Sequence, residues 1–106
     1  MAKKVLGQSN PAATTATTLY TVGAGKSAVI STLVIANLAA SSATYRVAVR
    51  VGGATLANSQ YIAYDITVGA SDSTALTLGI TLAATDVVTV YASNANLTFT
   101  AFGDEV

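Results

Sequence analysis

Residues 45–51 have the sequence YRVAVRV, in which apolar and polar side chains alternate. The apolar positions are Tyr45, Val47, Val49 and Val51. Arg46 and Arg50 lie between them, together with Ala48. Successive side chains of a β-strand point to opposite faces, so this period of two predicts a half-buried strand whose two arginines share the outer face.

Similar patterns predict six further strands, which are separated by turn-forming residues. They are expected at residues 17–22, 28–38, 61–68, 76–82, 87–91 and 97–102. No segment has the sustained period of an amphipathic helix. The sequence therefore predicts an all-β domain over residues 17–106, an antiparallel β-sandwich of about seven or eight strands with a jelly-roll-like topology.

Several of these strands also have a predicted inner face. In residues 61–68, Asp65 is expected opposite the apolar side, which consists of Ile62, Tyr64, Ile66 and Val68. In residues 76–82, the apolar side is expected to consist of Leu76, Leu78, Ile80 and Leu82. In residues 97–102, it is expected to consist of Leu97, Phe99 and Ala101. Residues 28–38 are nearly continuously apolar, which is typical of a strand covered on both faces.

Residues 1–16 differ from the rest because they show no clear alternation. They contain Gly7 and Pro11, and Val5 and Leu6 form the longest apolar run after the two lysines. That run is far shorter than the about 7–15 apolar residues of a signal peptide. We therefore predict an extended N-terminal arm and no export signal, with Val5 and Leu6 as the apolar contact point of the arm.

The residue inventory argues against several classes of function. The 106 residues include no His and no Cys, so the usual nucleophile systems, zinc and iron ligands and disulfides are absent. Asp72 and Asp86 lie in predicted turns, where aspartate binds its own backbone. Asp104 and Glu105 lie in a predicted C-terminal tail, and no acid–base pair of carboxylates is evident. We expect no enzymatic activity, no cofactor and no metal.

Charge is scarce throughout the chain. Charged residues make up 9% of it and the formal net charge is zero, whereas soluble proteins contain roughly 25% charged residues. A nucleic-acid partner is not expected, because neutralising phosphates requires an excess of Lys and Arg. Ser, Thr and Asn interrupt every long uncharged window, so no membrane span is expected. A small core and a nearly uncharged surface instead favour self-association.

Two sets of polar side chains are candidates for binding. Arg46 and Arg50 have two interpretations. They contact another protein, or they are surface residues that keep the protein soluble or form an internal ion pair with Asp65. The second set is expected mainly in core and edge packing, with stacking on sugars or bases as the alternative. It comprises Tyr20, Tyr45, Tyr61, Tyr64 and Tyr91.

A resemblance to a known family rests on a series of short segments taken in order. They are residues 5–8, 10–12, 19–22, 25–26, 31–33, 46–49, 61–65, 78–82 and 86–91, with Asn37 between the fifth and the sixth. In these segments and their order the chain resembles small virion structural proteins of tailed bacteriophages, although that family commonly has proline where this chain has Gly23. The resemblance implies a particle component without enzymatic activity.

Within that family, a capsid cement or decoration protein is the leading hypothesis. Such a protein bridges subunits of the major capsid protein, commonly as a dimer or trimer of small β domains with an extended arm. The partner is then the major capsid protein or another virion protein, and the location is the capsid surface after synthesis in the host cytoplasm. The expected contact residues are Lys3, Lys4, Val5, Leu6, Arg46 and Arg50.

Two other hypotheses remain open at this point. A tail, neck or baseplate component, including one that binds a receptor or a sugar, fits the same resemblance. A carbohydrate-binding or adhesive module without a particle is the other hypothesis, and it requires secretion, for which no signal is expected.

Overall fold

A computed structural model describes residues 2–106 and shows an all-β chain with nine strands in the described part. The strands are β1 (Ala2–Ser9), β2 (Thr17–Thr21), β3 (Ala28–Asn37), β4 (Ala43–Arg50), β5 (Tyr61–Val68), β6 (Ser73–Leu76), β7 (Ile80–Leu82), β8 (Val87–Ala92) and β9 (Leu97–Glu105). Two short 3-10 turns, Val51–Gly53 and Asn58–Gln60, lie between β4 and β5.

The strands form two antiparallel sheets that pack face to face. Sheet I has the order β1-β9-β3, and both β6 and β7 pair with the free side of β3. Sheet II has the order β2-β8-β4-β5. The prediction of an all-β fold with two antiparallel sheets is confirmed. The strand number is nine rather than seven or eight, because residues 2–9 form a strand and residues 76–82 do not form a single one.

The core lies between the two sheets and follows the predicted alternation in β9. In β4 the alternation is confirmed only for residues 45–47, because Ala48, expected on the outer face, is buried, and Val51, expected on the inner face, lies after the strand and is 71% exposed. Tyr45 and Val47 of β4 are buried, and so are Leu97, Phe99 and Ala101 of β9. The rings of Tyr45 and Phe99 meet edge to face across the sandwich, with centroids 6.3 Å apart. The outward arginines of β4 and the outward Phe102 of β9 therefore lie on opposite outer faces of the molecule.

The prediction that β3 is covered on both faces is wrong. Ile30, Leu33 and Ile35 are completely buried, whereas Val29 remains 37% exposed on the outer side. A bulge between Ile30 and Thr32 shifts the register with β9 and allows residues three apart to face the same core. The outer face of β3 thus contributes to the surface of sheet I.

The expected inner face of β5 is also wrong. Ile62, Tyr64 and Ile66 are exposed, and only Val68 of the four is buried. The alternation fails because β5 contains two register shifts against β4 and because Asp65 has a positive φ of 52°. Ala63 is instead the residue in this part of β5 that packs against the core, so the side of the strand predicted as inner is largely its outer side.

The continuous strand expected at residues 76–82 is interrupted. Residues 77–79 leave the sheet, Gly79 has a φ of 64°, and Leu78 is 55% exposed. A φ in this region favours glycine, so the chain can change direction here without steric cost. β6 and β7 consequently pair with separate halves of β3.

The arm expected at residues 1–16 is not confirmed. Residues Ala2–Ser9 of this segment form β1, which pairs with β9 from end to end and is an edge strand of sheet I. Leu6 is partly buried against the core, so the segment is fixed to the domain by side chains as well as by backbone hydrogen bonds. Lysines are common on edge strands because they discourage unwanted strand pairing, which is consistent with Lys3 and Lys4 in β1.

The predicted C-terminal tail is part of a strand. Asp104 and Glu105 belong to β9 and pair with both β1 and β3. Gly103 permits this, because a Cβ atom at that position would overlap the carbonyl oxygen of Val29 in β3. The three strands therefore approach closely at the end of sheet I where the first candidate site lies.

Candidate functional site

A hollow of about 580 Å³ lies on the outer face of sheet I, where β1, β9 and β3 meet. Its walls consist of Lys3, Lys4, Val5, Ser31, Phe102, Gly103 and Asp104. Lys3, Lys4 and Val5, which the sequence analysis selected for partner contact, therefore lie together. The fourth from the same segment, Leu6, packs towards the core and is absent from this hollow.

The register of β1 against β9 explains why these side chains share one face. Val5 lies opposite Phe102, and Lys3 lies opposite Asp104. Directly opposed residues in antiparallel strands point to the same side of the sheet. Val5 is 47% exposed and Phe102 is 40% exposed, so two large apolar side chains meet solvent in the middle of this surface.

One of the lysines that line the hollow, Lys4, is bound to Glu105, which lies outside the hollow. Lys4 Nζ donates a hydrogen bond to Glu105 Oε1 at 3.3 Å, and the Tyr20 hydroxyl donates to Glu105 Oε2 at 2.6 Å. Burial, and then the bonded carboxylate, raise the pKa of Tyr20 to about 12. The hydroxyl of Tyr20, and then Lys4, lower the pKa of Glu105. Glu105 therefore joins β9 to both β1 and β2.

Asp104 differs from the other carboxylates of the chain. Its Oδ1 atom is buried and has no hydrogen-bond partner among residues 2–106. This oxygen is shielded from solvent and is therefore not itself accessible to a bound molecule. The accessible part of the hollow combines an apolar centre, Val5 and Phe102, with the two exposed lysines.

A second group of side chains lies on the outer face of sheet II. The Arg46 guanidinium is between two aromatic rings, 4.1 Å from the centroid of Tyr64 and 4.3 Å from that of Tyr91. It also donates two hydrogen bonds to Asp65, from Nε to Oδ1 at 2.6 Å and from Nη2 to Oδ2 at 3.2 Å. The bonds to Asp65 raise the pKa of Arg46, and the same bonds lower the pKa of Asp65.

The predicted internal pair between Arg46 and Asp65 is therefore confirmed. Both faces of the guanidinium are covered by rings and its edge is occupied by a carboxylate. Arg50 is used differently, since it donates to the carbonyl oxygens of Gly53 and Ala54 and fixes the loop after β4. Arg46 is therefore paired with a carboxylate, whereas the hydrogen bonds of Arg50 go to uncharged carbonyl groups and leave its charge without a carboxylate partner among the described residues.

Next to Arg46 lies a smaller hollow of about 350 Å³. It is lined by Asn58, Tyr61 and Tyr64. The rings of Tyr61 and Tyr64 meet edge to face at 82°, with centroids 4.9 Å apart. Tyr20 and Tyr45 are buried as expected for packing residues, whereas Tyr64 is 51% exposed.

Sequence reasoning missed several of these residues. Ser31, Asp104 and Asn58 carry no local signal of an interface. Phe102 does carry one, because it is a large aromatic residue at an outward position of a well-alternating strand. The outward placement was predicted, but its proximity to Val5 depends on the pairing of β1 with β9.

The described residues place limits on the chemistry of these surfaces. Residues 2–106 contain no group of three or more metal-ligating side chains in one place. Their helical segments are two 3-10 turns of three residues, so no described helix has the length and apolarity to cross a membrane. Comparisons with family models, with curated proteins and with solved structures find no match to this chain.

Proposed function

We propose that this chain is a structural protein of a tailed-bacteriophage virion, a capsid cement or decoration protein that stabilises the head by bridging subunits of the major capsid protein. The observation that carries the proposal is the outer face of sheet I. There Val5 and Phe102 present apolar surface beside the exposed Lys3 and Lys4. An apolar centre with a polar rim is the usual composition of a protein–protein contact.

The architecture supports the same proposal. We propose that the sandwich is a jelly roll, a topology found in viral capsid proteins. The strand order supports it, because β1-β9-β3-β6 faces β2-β8-β4-β5, and at one edge of each sheet an early strand pairs with a late one, β1 with β9 and β2 with β8. A chain of this topology has its termini in neighbouring strands, here β1 and β9, beside the proposed contact.

Self-association completes the proposal. We propose a dimer or trimer located on the capsid surface, because a chain with few charges and no net charge favours contacts between copies. Many copies on one shell make weak individual contacts effective, since each bound subunit raises the effective concentration of its neighbours.

A tail, neck or baseplate component is the second candidate. The observation that favours it is the aromatic group on sheet II, where Tyr61, Tyr64 and Tyr91 lie at or near the surface. Receptor-binding parts of a virion require such a surface, whereas a cement protein requires only the contact with the shell.

Co-sedimentation with mature heads that lack this protein tests the proposal. Wild-type protein should pellet with heads at saturating stoichiometry. Phe102→Glu should weaken this binding at least about tenfold, because it puts a charge into the apolar centre. The matched control is Ile62→Glu, since Ile62 is 44% exposed on the opposite sheet, and it should bind as wild type.

Two results would contradict the proposal. The first is wild-type protein that never pellets with heads and is found only on isolated tails. The second is a reversed mutant pattern, in which Ile62→Glu abolishes binding to heads and Phe102→Glu does not, since this would move the contact to sheet II.

A further inference from the structure

We propose that the small hollow bounded by Asn58, Tyr61 and Tyr64 on sheet II is a binding site for a neutral pyranose sugar. This site is separate from the capsid contact, because it lies on the other sheet. It adds a ligand to the molecule and does not depend on what sheet I binds.

The shape of the hollow is the first argument. Two tyrosine rings meet at 82° with centroids 4.9 Å apart, so they form adjacent walls at nearly a right angle. The volume of about 350 Å³ is near the lower end of the about 300–1,000 Å³ typical of ligand sites, which suits a single sugar ring. The negative face of an aromatic ring attracts the C–H groups on one face of a pyranose.

The polar groups at the hollow are the second argument. The Asn58 side chain offers two N–H donors and one carbonyl acceptor, and the tyrosine hydroxyls add both functions. Sugar hydroxyls need donors and acceptors in close proximity, and all three lining side chains carry them. An aliphatic ligand would leave these groups without partners.

Charge decides between a neutral and an ionic ligand. None of the three lining residues is charged, and the nearest charged groups, Arg46 and Asp65, are bonded to each other. A phosphate or a carboxylate would find no free cation here. A nucleotide would lack the phosphate contacts that dominate its binding. A neutral ligand matches this surface.

The site is held in place before any ligand binds. Arg46 stacks on Tyr64 at 4.1 Å and fixes its ring through the paired Asp65. The turn that contains Asn58 is closed by Gln60, which accepts a hydrogen bond from the N–H of Ala57 at 2.8 Å and donates to the carbonyl of Thr55 at 3.0 Å. Preorganised walls reduce the entropy lost on binding.

The expected affinity for one ring is low. For a small ligand on an open surface, typical ligand efficiencies give a dissociation constant on the order of 1 mM. Many copies on one particle would bind a multivalent glycan far more tightly than one copy does.

Backbone-amide NMR titration of the full-length protein with methyl glycosides tests the proposal. The probes are the methyl pyranosides of glucose, galactose, mannose and N-acetylglucosamine, with glycerol as a control for non-specific effects of hydroxyls. At least one glycoside should cause saturable shifts confined to residues 57–65 and 91, and glycerol should cause none.

Two variants locate the site. Tyr64→Ala should weaken binding at least about tenfold, because it removes one wall. Asn58 lies in an exposed turn, so Asn58→Ala should weaken binding without altering thermal unfolding. This variant therefore tests the site even if Tyr64→Ala perturbs the fold. Leu78→Ala, at a similarly exposed position in the loop between β6 and β7, should leave the titration unchanged.

Three outcomes would overturn the proposal. One is the absence of saturable shifts with all four glycosides. Another is binding that both Tyr64→Ala and Asn58→Ala leave unchanged. The third is a set of shifts at Ile62, Tyr64 and Ile66 that depends on protein concentration alone, which would assign this surface to contacts between copies of the chain.

Discussion

Replacement of Asn37 by alanine should destabilise the fold more than any comparable change at an exposed asparagine. Asn37 ends β3 and its side chain is only 3% exposed. Its amide nitrogen donates to the carbonyl oxygens of Ser41 at 2.9 Å, Gly69 at 3.2 Å and Val68 at 3.3 Å. Its oxygen accepts from the N–H of Ala39 at 3.0 Å. One side chain thus joins the end of sheet I to the end of β5 in sheet II.

The magnitude follows from the number of bonds that can exist at once. The amide nitrogen has two hydrogens, so its three acceptors share two donors. With the bond to the oxygen, the variant loses about three hydrogen bonds worth about 1 kcal/mol each, which gives about 3 kcal/mol. A domain of this size is stable by about 5–15 kcal/mol in total. At about 4 °C per kcal/mol, the midpoint of thermal unfolding should fall by about 12 °C.

Urea denaturation at a fixed protein concentration measures this effect. The midpoint should shift to lower urea while the slope of the free energy against urea stays the same, because the surface exposed on unfolding is unchanged. Asn58→Ala is the control, since Asn58 is exposed in a 3-10 turn and should alter stability by no more than about 0.5 kcal/mol. A loss below about 1 kcal/mol for Asn37→Ala would refute the reasoning.

Three further changes have expected outcomes of their own. Gly103→Ala should cost about 3 kcal/mol in urea denaturation, because the new Cβ overlaps the backbone of β3, whereas Gly23→Ala, whose Cβ meets only the flexible Lys26 side chain, should change stability little. Asp86→Ala should cost about 2–3 kcal/mol, because this buried carboxylate accepts two backbone N–H groups at 2.8 and 2.9 Å. Glu105 has a folded-state pKa below its usual value near 4.5, so its contribution to stability is present above that pH and disappears as the pH falls through the lower value. Glu105→Gln should therefore flatten the acid limb of stability against pH, and an unchanged limb would show that the Tyr20 and Lys4 bonds do not matter.

Sequence reasoning was most accurate where the strand is regular. In β9 and in residues 45–47 of β4, alternate side chains face either the core or the surface, as the period of two predicts. β5 is an edge strand with a positive φ at Asp65 and two register shifts. A bulge reverses the side chains that follow it, and no local pattern in residues 61–68 indicates where it falls.

The candidate sites show the same division between local and long-range information. The pair of Arg46 with Asp65 was among the alternatives because both residues lie on predicted strands with outward polar positions. The stacking of Arg46 between Tyr64 and Tyr91 was not predicted, since it depends on β4 lying between β5 and β8. The hollow on sheet I was missed for a related reason. Val5 and Phe102 are nearly a whole chain apart in sequence and meet only through the pairing of β1 with β9.

Direct localisation on the virion is the measurement closest to the central claim. For the proposed virion protein, electron cryomicroscopy of particles that contain this chain should show β-sandwich density on the outer head surface. Sheet I should face the major capsid protein, and the Asn58 side of sheet II should face solvent. Density confined to the tail, or sheet II buried against the shell, would contradict the account.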